Sequence, residues 1–572
     1  LARWMSRIYL STVGEALAAI LPGGRRESSP ASLPVEEEIA EQKPLSLSEG
    51  QKAALEQILG KDPRPKYLFG ITGSGKTEVF LRGAEEVIQQ GKGVIYLVPE
   101  ISLSHQLVEA IEGRFPGQVA VIHSGLTPSQ RLSEWRRIAS GEAKLTVGAR
   151  SAIFAPVPLL GMIIIDEEHE GSYKSGTVPR YHARQVAMHR SSRENALLLM
   201  GSATPSVEAF HYMEEGQIQR LDLSHRIAGG ELPALKVVDM KGKGSSLSPE
   251  LISEIRNTRE AGKQTILFLN RRGFSYFFHC RSCGYEMTCK SCSVSLTLHK
   301  SSSRMVCHYC GWSRRPVDIC PECGSLDVGY SGFGTEKIEE DVKLIFPDYR
   351  VERIDTDAVR KKGTLQSILT RFRKGEIDIL LGTQMVAKGL NFPHLRLVGI
   401  IQADSALHLP DFRARERTFN LITQVAGRAG RYDSEGLVLI QTFTPNDPAI
   451  SYSAEGRIIE FYSLELESRK ALGFPPYARL VRMVFRGKKE AEVEAACRKA
   501  ADTLEEFLGP EVELLGPSEC PISVLSGNVR FQLILRGEKL SSMLPAIHTY
   551  RAGRGDDRKI YVEYDVDPVS LL

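Results

Sequence analysis

Gly70-Ile71-Thr72-Gly73-Ser74-Gly75-Lys76-Thr77 decides how the rest of this chain is read. It follows the short apolar run Tyr67-Leu68-Phe69 and opens a segment, Glu78 to Gln90, with helical character. Strand, glycine-rich loop and helix are the context in which G-x-x-x-x-G-K-[ST] has physical meaning. Glycines let backbone N–H groups turn inward around phosphate oxygens, and the helix N-terminus adds the positive end of its dipole. Gly70, Thr72, Gly73, Ser74 and Gly75 would form that cradle. Lys76 would neutralise the outer phosphates, and the Thr77 hydroxyl would ligate Mg²⁺. Glycine-rich turns before helices are common, but the Lys-Thr pair and its flanks point to a bound nucleoside triphosphate.

Working upstream, a helical pattern begins at Leu45 and contains Gln51, whose amide is able to read an adenine edge, although most exposed helix glutamines are only solvated. Pro22 to Pro44 reads as a linker, with Gly-Gly, Ser-Ser-Pro and an acidic run but no apolar periodicity. Residues 1–21 look like the tail of a further domain, and Leu1 in place of Met suggests a fragment.

Working downstream, short runs saturated with Val, Ile and Leu alternate with amphipathic segments. Val94–Val98, Val119–His123, Leu145–Val147, Met162–Ile165 and Leu197–Met200 are the pattern of a parallel sheet covered on both faces. Functional residues then belong at the strand C-terminal ends. Met162–Ile165 runs straight into Asp166-Glu167-Glu168-His169. Alone this is a solvated turn as readily as a site. Beside a phosphate loop, Asp166 becomes a metal ligand and Glu167 the base that activates water. Gly201-Ser202-Ala203-Thr204-Pro205 follows the next strand; its small hydroxyl residues suit a relay between the nucleotide and another ligand, though by itself it is an ordinary strand-ending turn.

A second α/β unit starts near Leu232, with strands at Gln264–Leu269, Val351–Ile354, Ile377–Leu381, Leu397–Ile401 and Leu437–Gln441. Its long helical segment carries Gln424-Val425-Ala426-Gly427-Arg428-Ala429-Gly430-Arg431. Arg428 and Arg431, three apart, share a helix face, and arginine aimed at a γ-phosphoryl raises hydrolysis by about 10³–10⁵. Glycine inside a helix costs about 1 kcal/mol against alanine, so Gly427 and Gly430 argue against a plain surface helix.

Composition sets the limits. At 572 residues the chain is too long for one core. Its 42% hydrophobic and 25% charged residues are ordinary for a globular protein. A net charge of +3 means that any nucleic-acid surface must be local. No apolar run has the length to span a bilayer, and no signal-peptide layout is visible. Of ten cysteines, eight fall between Cys280 and Cys323 as Cys280-x₂-Cys283-x₅-Cys289-x₂-Cys292-x₁₄-Cys307-x₂-Cys310-x₉-Cys320-x₂-Cys323. Four C-x₂-C knuckles, three followed by glycine, read as two Cys₄ zinc sites rather than disulfides or an iron–sulfur cluster.

Two α/β lobes with these motifs resemble a superfamily 2 helicase. With the double-zinc insert, the chain is similar throughout to the primosomal protein N′ family of replication-restart helicases, through GITGSGKTEV, LVPEISL, VGARSAIFAP, DEEHE, GSATPS, FLNRRG, GFGTEK, LLGTQMVAKGL and QVAGRAGR. The resemblance implies two RecA-like lobes: lobe 1 at 45–228, and lobe 2 at 229–278 and 331–446. A zinc module would occupy 279–330 and an α+β DNA-binding domain 447–572, with 1–21 a remnant of an N-terminal DNA-binding domain and 22–44 a linker. It implies an ATP-dependent, Mg²⁺-requiring 3′-to-5′ DNA helicase with two Zn²⁺, acting in the cytoplasm at stalled or repaired forks. Its partners would be forked and single-stranded DNA, single-stranded DNA-binding protein, and primosome and helicase-loader proteins. The family pairs Cys280, Cys283, Cys320 and Cys323 in one zinc site and Cys289, Cys292, Cys307 and Cys310 in the other, where spacing alone also allows an interleaved pairing. Tyr173-Lys174 to Arg180-Tyr181-His182 matches the family's aromatic-rich loop, whose tyrosines have the chemistry to stack on bases. From about Arg479 the chain reads as strand, helix (Lys489–Phe507) and strand (RFQLILRG), with Arg530 on what reads as a basic edge strand. Three other readings stand: a double-strand translocase that migrates branches, an RNA helicase, and a zinc-bearing scaffold whose ATPase is dispensable.

Overall fold

The computed structural model describes residues 1–23, 46–99, 105–227, 233–243, 245–269, 278–280, 282–290, 295–299, 303–308, 311–329, 335–354, 364–382, 392–427, 429, 435–554 and 559–571. Arg428, Arg431, Cys292 and Cys310 lie outside them, as does nearly all of the expected linker. The chain divides into two compact units, Leu1–Gly229 and Gly230–Leu572.

The first unit is built on seven strands: β1 (Lys66–Gly70), β2 (Gly93–Leu97), β3 (Val119–Ile122), β4 (Leu145–Gly148), β5 (Leu160–Asp166), β6 (Leu197–Ser202) and β7 (Gln219–Leu223). All pair in parallel, in the order β3-β4-β2-β5-β6-β1-β7. Every residue of β2 is buried, which is why that strand reads as an unbroken apolar run. β7, Gln-Arg-Leu-Asp-Leu, lies at the sheet edge beside β1; its exposed polar residues hid it from an apolar-run criterion. Helix α1 (Ala2–Ile8) and α2 (Val13–Ile20) belong to this unit, with Met5, Tyr9 and Ala16 buried. Thr12 and Glu15 form a reciprocal capping box on α2. Helices α3 (Glu49–Leu59) and α4 (Lys76–Gln89) flank the glycine-rich loop.

The second unit begins with β8 (Ala234–Asp239) and β9 (Gln264–Leu269). The cysteine segment follows, as two small antiparallel sheets: β10 (His279–Cys280) with β14 (Val328–Gly329), and β11 (Thr297–His299), β12 (Arg304–Val306) and β13 (Ser313–Arg314). β15 (Val351–Ile354), β16 (Ile379–Gly382), β17 (Leu395–Ile401) and β18 (Leu437–Thr442) complete a second all-parallel sheet in the order β15-β16-β9-β17-β18-β8.

The C-terminal part holds more than the strand–helix–strand its sequence suggests. β19 (Arg479–Gly487), a helix at Glu490–Glu505, β20 (Val512–Leu525), β21 (Asn528–Gly537), a helix at Leu540–Gly553 and β22 (Tyr561–Val566) make a βαββαβ domain. Its antiparallel order is β20-β21-β19-β22. Arg530 therefore lies on an interior strand, not an edge, and its guanidinium donates to Ile522 O at 3.1 Å. The cross-strand partners that place it there are too remote in sequence to be read locally.

The cysteine segment is not a separate bead. Phe278, Met287, Leu296 and Met305 share one core with Phe474, Leu480, Ile534 and Leu571 of the C-terminal part. His308 O accepts from Gln532 Nε2 at 2.6 Å and Ser518 Oγ at 3.2 Å. Toward the parallel sheet, buried His408 lies 2.7 Å from Glu286 and 3.6 Å from Asp404.

Candidate active site and metal centre

β1 ends at Gly70 and α4 begins at Lys76, so the loop between them lies at the C-terminal edge of the sheet. Gly73 (φ +86°) and Gly75 (φ +76°) take the left-handed backbone that the turn requires. A Cβ on Gly75 would meet Ile227 Cδ1 at 2.1 Å and Gln51 Nε2 at 2.5 Å. The helix thus starts two residues earlier than its sequence pattern suggests, directly off the left-handed Gly75. Lys76 Nζ donates to Gly70 O at 2.7 Å and Ile71 O at 3.3 Å, at the mouth of the loop. Thr72 and Thr77 are half-buried, and the buried Ser74 Oγ has no partner among the described residues. A helix N-terminus, an ammonium group and a hydroxyl short of a partner are a donor set that fits a polyphosphate.

Gln51 lies against this loop, but its amide is engaged at both ends. Oε1 accepts from Ser48 N at 2.9 Å in the capping box of α3, while Nε2 donates to Ser74 O at 3.1 Å and Gly75 O at 3.4 Å. At 2% exposed, it braces the loop against α3.

The acidic cluster sits at the end of β5, two strands from β1 in the same sheet. Tyr96 Oη, from near the C-terminal end of β2, donates to Asp166 Oδ2 at 3.2 Å and also interacts with the Thr77 side chain. Burial and the neighbouring charge of Glu167 push the Asp166 carboxyl up to about 7, against the pull of Lys76, the Glu167 N–H and Tyr96. Glu167 holds a left-handed backbone, φ +47°, which costs a residue with a side chain about 1–2 kcal/mol. Ser202 Oγ donates to Glu167 Oε2 at 3.0 Å and lies 2.8 Å from His169 Nδ1. Thr204 N donates back to Ser202 Oγ at 3.0 Å. The Ser202 hydroxyl of Gly-Ser-Ala-Thr thus orients the carboxylate of Glu167.

Glu168, the third acid, does something else. It is 1% exposed, pairs with Arg184, and accepts from Ser206 Oγ at 2.8 Å, Ser206 N at 3.1 Å and Tyr67 Oη at 3.2 Å. It locks the end of β5 to the starts of two helices, Ala183–Glu194 and Val207–Glu214. Sequence reasoning missed this set and Tyr96. The one available signal was a tyrosine hydroxyl inside an apolar strand, which needs a polar partner when buried.

The tyrosines of the loop after β5 are also spoken for. Tyr173 is 1% exposed and donates to Asp166 O at 2.6 Å and Leu97 O at 3.1 Å; Tyr181 is 5% exposed and packs on Phe154. Neither ring offers a face for base stacking, correcting that expectation. Both meet a core that the sequence around them does not reveal.

In the second unit, the sulfurs of Cys280, Cys283, Cys320 and Cys323 lie within 4.8 Å of one another. Cys280 to Cys323 and Cys283 to Cys320 are each 3.7 Å. Thiolates about 2.3 Å from a tetrahedral Zn²⁺ stand at close to that spacing, so the four fit the ion. Gly284, Gly311 and Gly324 have φ of +80°, +74° and +72° and close the knuckle turns, each N–H donating to a cysteine carbonyl at 2.9 Å. Cys289 and Cys307 are buried in the shared core.

These features define the class: two all-parallel α/β sheets, the first with a phosphate loop and strand-end acids, are those of a superfamily 2 helicase. Residues 48–211 match the family model "DEAD/DEAH box helicase" and 333–433 "Helicase conserved C-terminal domain". Residues 289–315 match "PriA DNA helicase Cys-rich region (CRR) domain", and 470–569 "Primosomal protein N C-terminal domain". The replication restart protein PriA of Treponema pallidum is 50% identical over the whole chain, covering 87% of that protein. That of Bacillus subtilis is 41% identical over 92% of the chain and 67% of its own length. The chain belongs to the replication restart protein PriA family, and is a zinc-binding DNA helicase of replication restart. Among the described residues, no helix is long and apolar enough to cross a membrane.

Proposed function

We propose that the chain hydrolyses ATP at the loop 70–77 and uses the cycle to move 3′ to 5′ along one DNA strand, separating forked duplexes and starting primosome assembly. The observation that carries this reading is Tyr96 Oη meeting both Asp166 and the Thr77 side chain, so that strand-end acid and phosphate-loop hydroxyl converge. Gly70, Thr72, Gly73, Ser74 and Gly75 cradle the phosphates, and Lys76 neutralises them. Thr77 and Asp166 hold Mg²⁺, which when bound offsets the charge on the outer phosphates. Glu167, oriented by Ser202, takes the proton of the attacking water. Arg428 and Arg431 supply guanidinium groups to the γ-phosphoryl.

The division at 228/229, the insert at 279–330 and the C-terminal domain from 447 are proposed on the same footing, as are two zinc sites with outer and inner pairing. Partners would be forked and single-stranded DNA, single-stranded DNA-binding protein, and primosome and helicase-loader proteins. The test is strand displacement on forked DNA carrying a 3′ or a 5′ tail, with Lys76→Ala as control. The reading holds if only the 3′-tailed loading strand is tracked and Lys76→Ala is inert. Unwinding by Lys76→Ala, or stronger stimulation of ATP hydrolysis by RNA than by DNA, overturns it.

A further inference from the structure

We propose that the helix pair α1–α2 is a positioning element of the nucleotide site, with Tyr9 acting on Asp166 through the loop 173–182; this rests on the reading of Asp166 given above. The loop is a short antiparallel stem with an exposed tip. Its stem is the bridge between Lys174 and His182 and the bond from Ser175 N to Tyr181 O at 2.7 Å. Its tip, 176–178, is exposed. Two tyrosines hold the stem from opposite sides.

On the inner side, Tyr173 Oη donates to the carbonyls of Asp166 and Leu97, tying the base of the loop to the ends of β5 and β2. On the outer side stands Tyr9, at the end of α1 and only 2% exposed. Its hydroxyl donates to Gln185 Oε1 at 2.7 Å and accepts from His182 N at 3.4 Å, and Lys174 Nζ lies 5.8 Å from its ring centre. Both residues of the stem bridge therefore meet one side chain. Trp4, one turn earlier, stacks on His189 at 4.0 Å with planes 9° apart, which seats α1 on the helix that follows the loop. α2 packs on the short 3-10 turn Arg150–Phe154. From that turn Arg150 donates to Ser172 O at 2.9 Å and Lys174 O at 2.5 Å. The helix pair thus reaches the stem by two routes, and Tyr173, which adjoins the stem, binds the backbone carbonyl of Asp166. A displacement of α1 moves the stem, and Tyr173 passes that movement to the carboxylate.

The test compares Tyr9→Ala, Tyr9→Phe and Lys76→Ala in the full chain, reading ATP hydrolysis with and without single-stranded DNA and amide hydrogen exchange. Tyr9→Ala is expected to raise exchange across 174–182 and to lower kcat about tenfold with KM for ATP unchanged, as for a misplaced catalytic group. Tyr9→Phe keeps the ring and loses two hydrogen bonds, so its loss is smaller, about twofold to threefold. If Tyr9→Ala does not fold, Tyr9→Phe and Trp4→Ala decide by the same two readouts. Wild-type exchange at 174–182 together with wild-type kcat overturns the proposal, whatever happens to Tm. If Lys76→Ala hydrolyses ATP normally, the site reading fails; if it is inert while Tyr9→Ala is normal, only the positioning role fails.

Discussion

At the scale of single residues, burial decides which polar groups act and which only hold. Glu168 and Glu167 are neighbours in sequence, yet Glu168 is sealed against Arg184 while the Glu167 side chain is 34% exposed. Arg184→Ala leaves a buried carboxylate without its cation, and such losses cost about 3–5 kcal/mol. Urea unfolding of this variant should show that drop with the slope against denaturant unchanged. His408 gives a pH signature. Burial opposes its charge, but Glu286 and Asp404 prevail and hold it up to about 9 from an ordinary 6.5. The native state then binds the extra proton, so the contribution is complete below pH 6.5 and is lost as pH rises through 9. Wild-type stability should fall across that window, and His408→Gln should flatten it, as followed by thermal melts in steps of pH. The place of Asp166 and Glu167 at a strand end was legible because an apolar run leads straight into them. The roles of Glu168 and Tyr96 were not, because Ser206 is 38 residues from Glu168 and Asp166 is 70 from Tyr96. Spacing carries no trace of such partners.

At the scale of elements, six of the seven parallel strands of the first sheet and five of the six of the second were legible in their order along the chain, since most are short apolar runs. The strands overlooked are those whose sequences alternate or mix: β7 and β8 at the edges of the two parallel sheets, and β20 and β22 at the edges of the C-terminal sheet. One face of such a strand meets water, so its apolar content is halved. The glycine-rich loop was the clearest element of all, and its geometry makes a sharp prediction. In Gly75→Ala, the left-handed backbone is strained by about 1–2 kcal/mol, and the added Cβ meets Ile227 and Gln51. Nucleotide affinity should fall at least about tenfold, the equivalent of 1.4 kcal/mol, in a titration with a fluorescent ATP analogue. Retained affinity would mean that the loop can be rebuilt around a side chain.

At the scale of the whole molecule, each unit has its own sheet and core. The metal centre belongs to the second alone, and it is continuous with the C-terminal domain through the cluster that joins Met287 and Met305 to Leu480 and Ile534. Structural zinc contributes on the order of 10 kcal/mol to folding. Chelation should therefore raise hydrogen exchange in β19 and β21 as well as around the cysteines, while nucleotide binding by the first unit persists. Exchange confined to 278–329 would disprove that continuity.

The same continuity bears on how the chain is made. The apolar face beside the first knuckles leaves the ribosome long before its cover exists, because that cover includes Phe474, Leu480, Ile534 and Leu571. Until the last of these emerges, a half-built surface of methionine, leucine and phenylalanine stands open to any other unfinished chain. Nascent or shortened forms ending before the β22 region should accumulate as insoluble material, and supplying metal early will not rescue them.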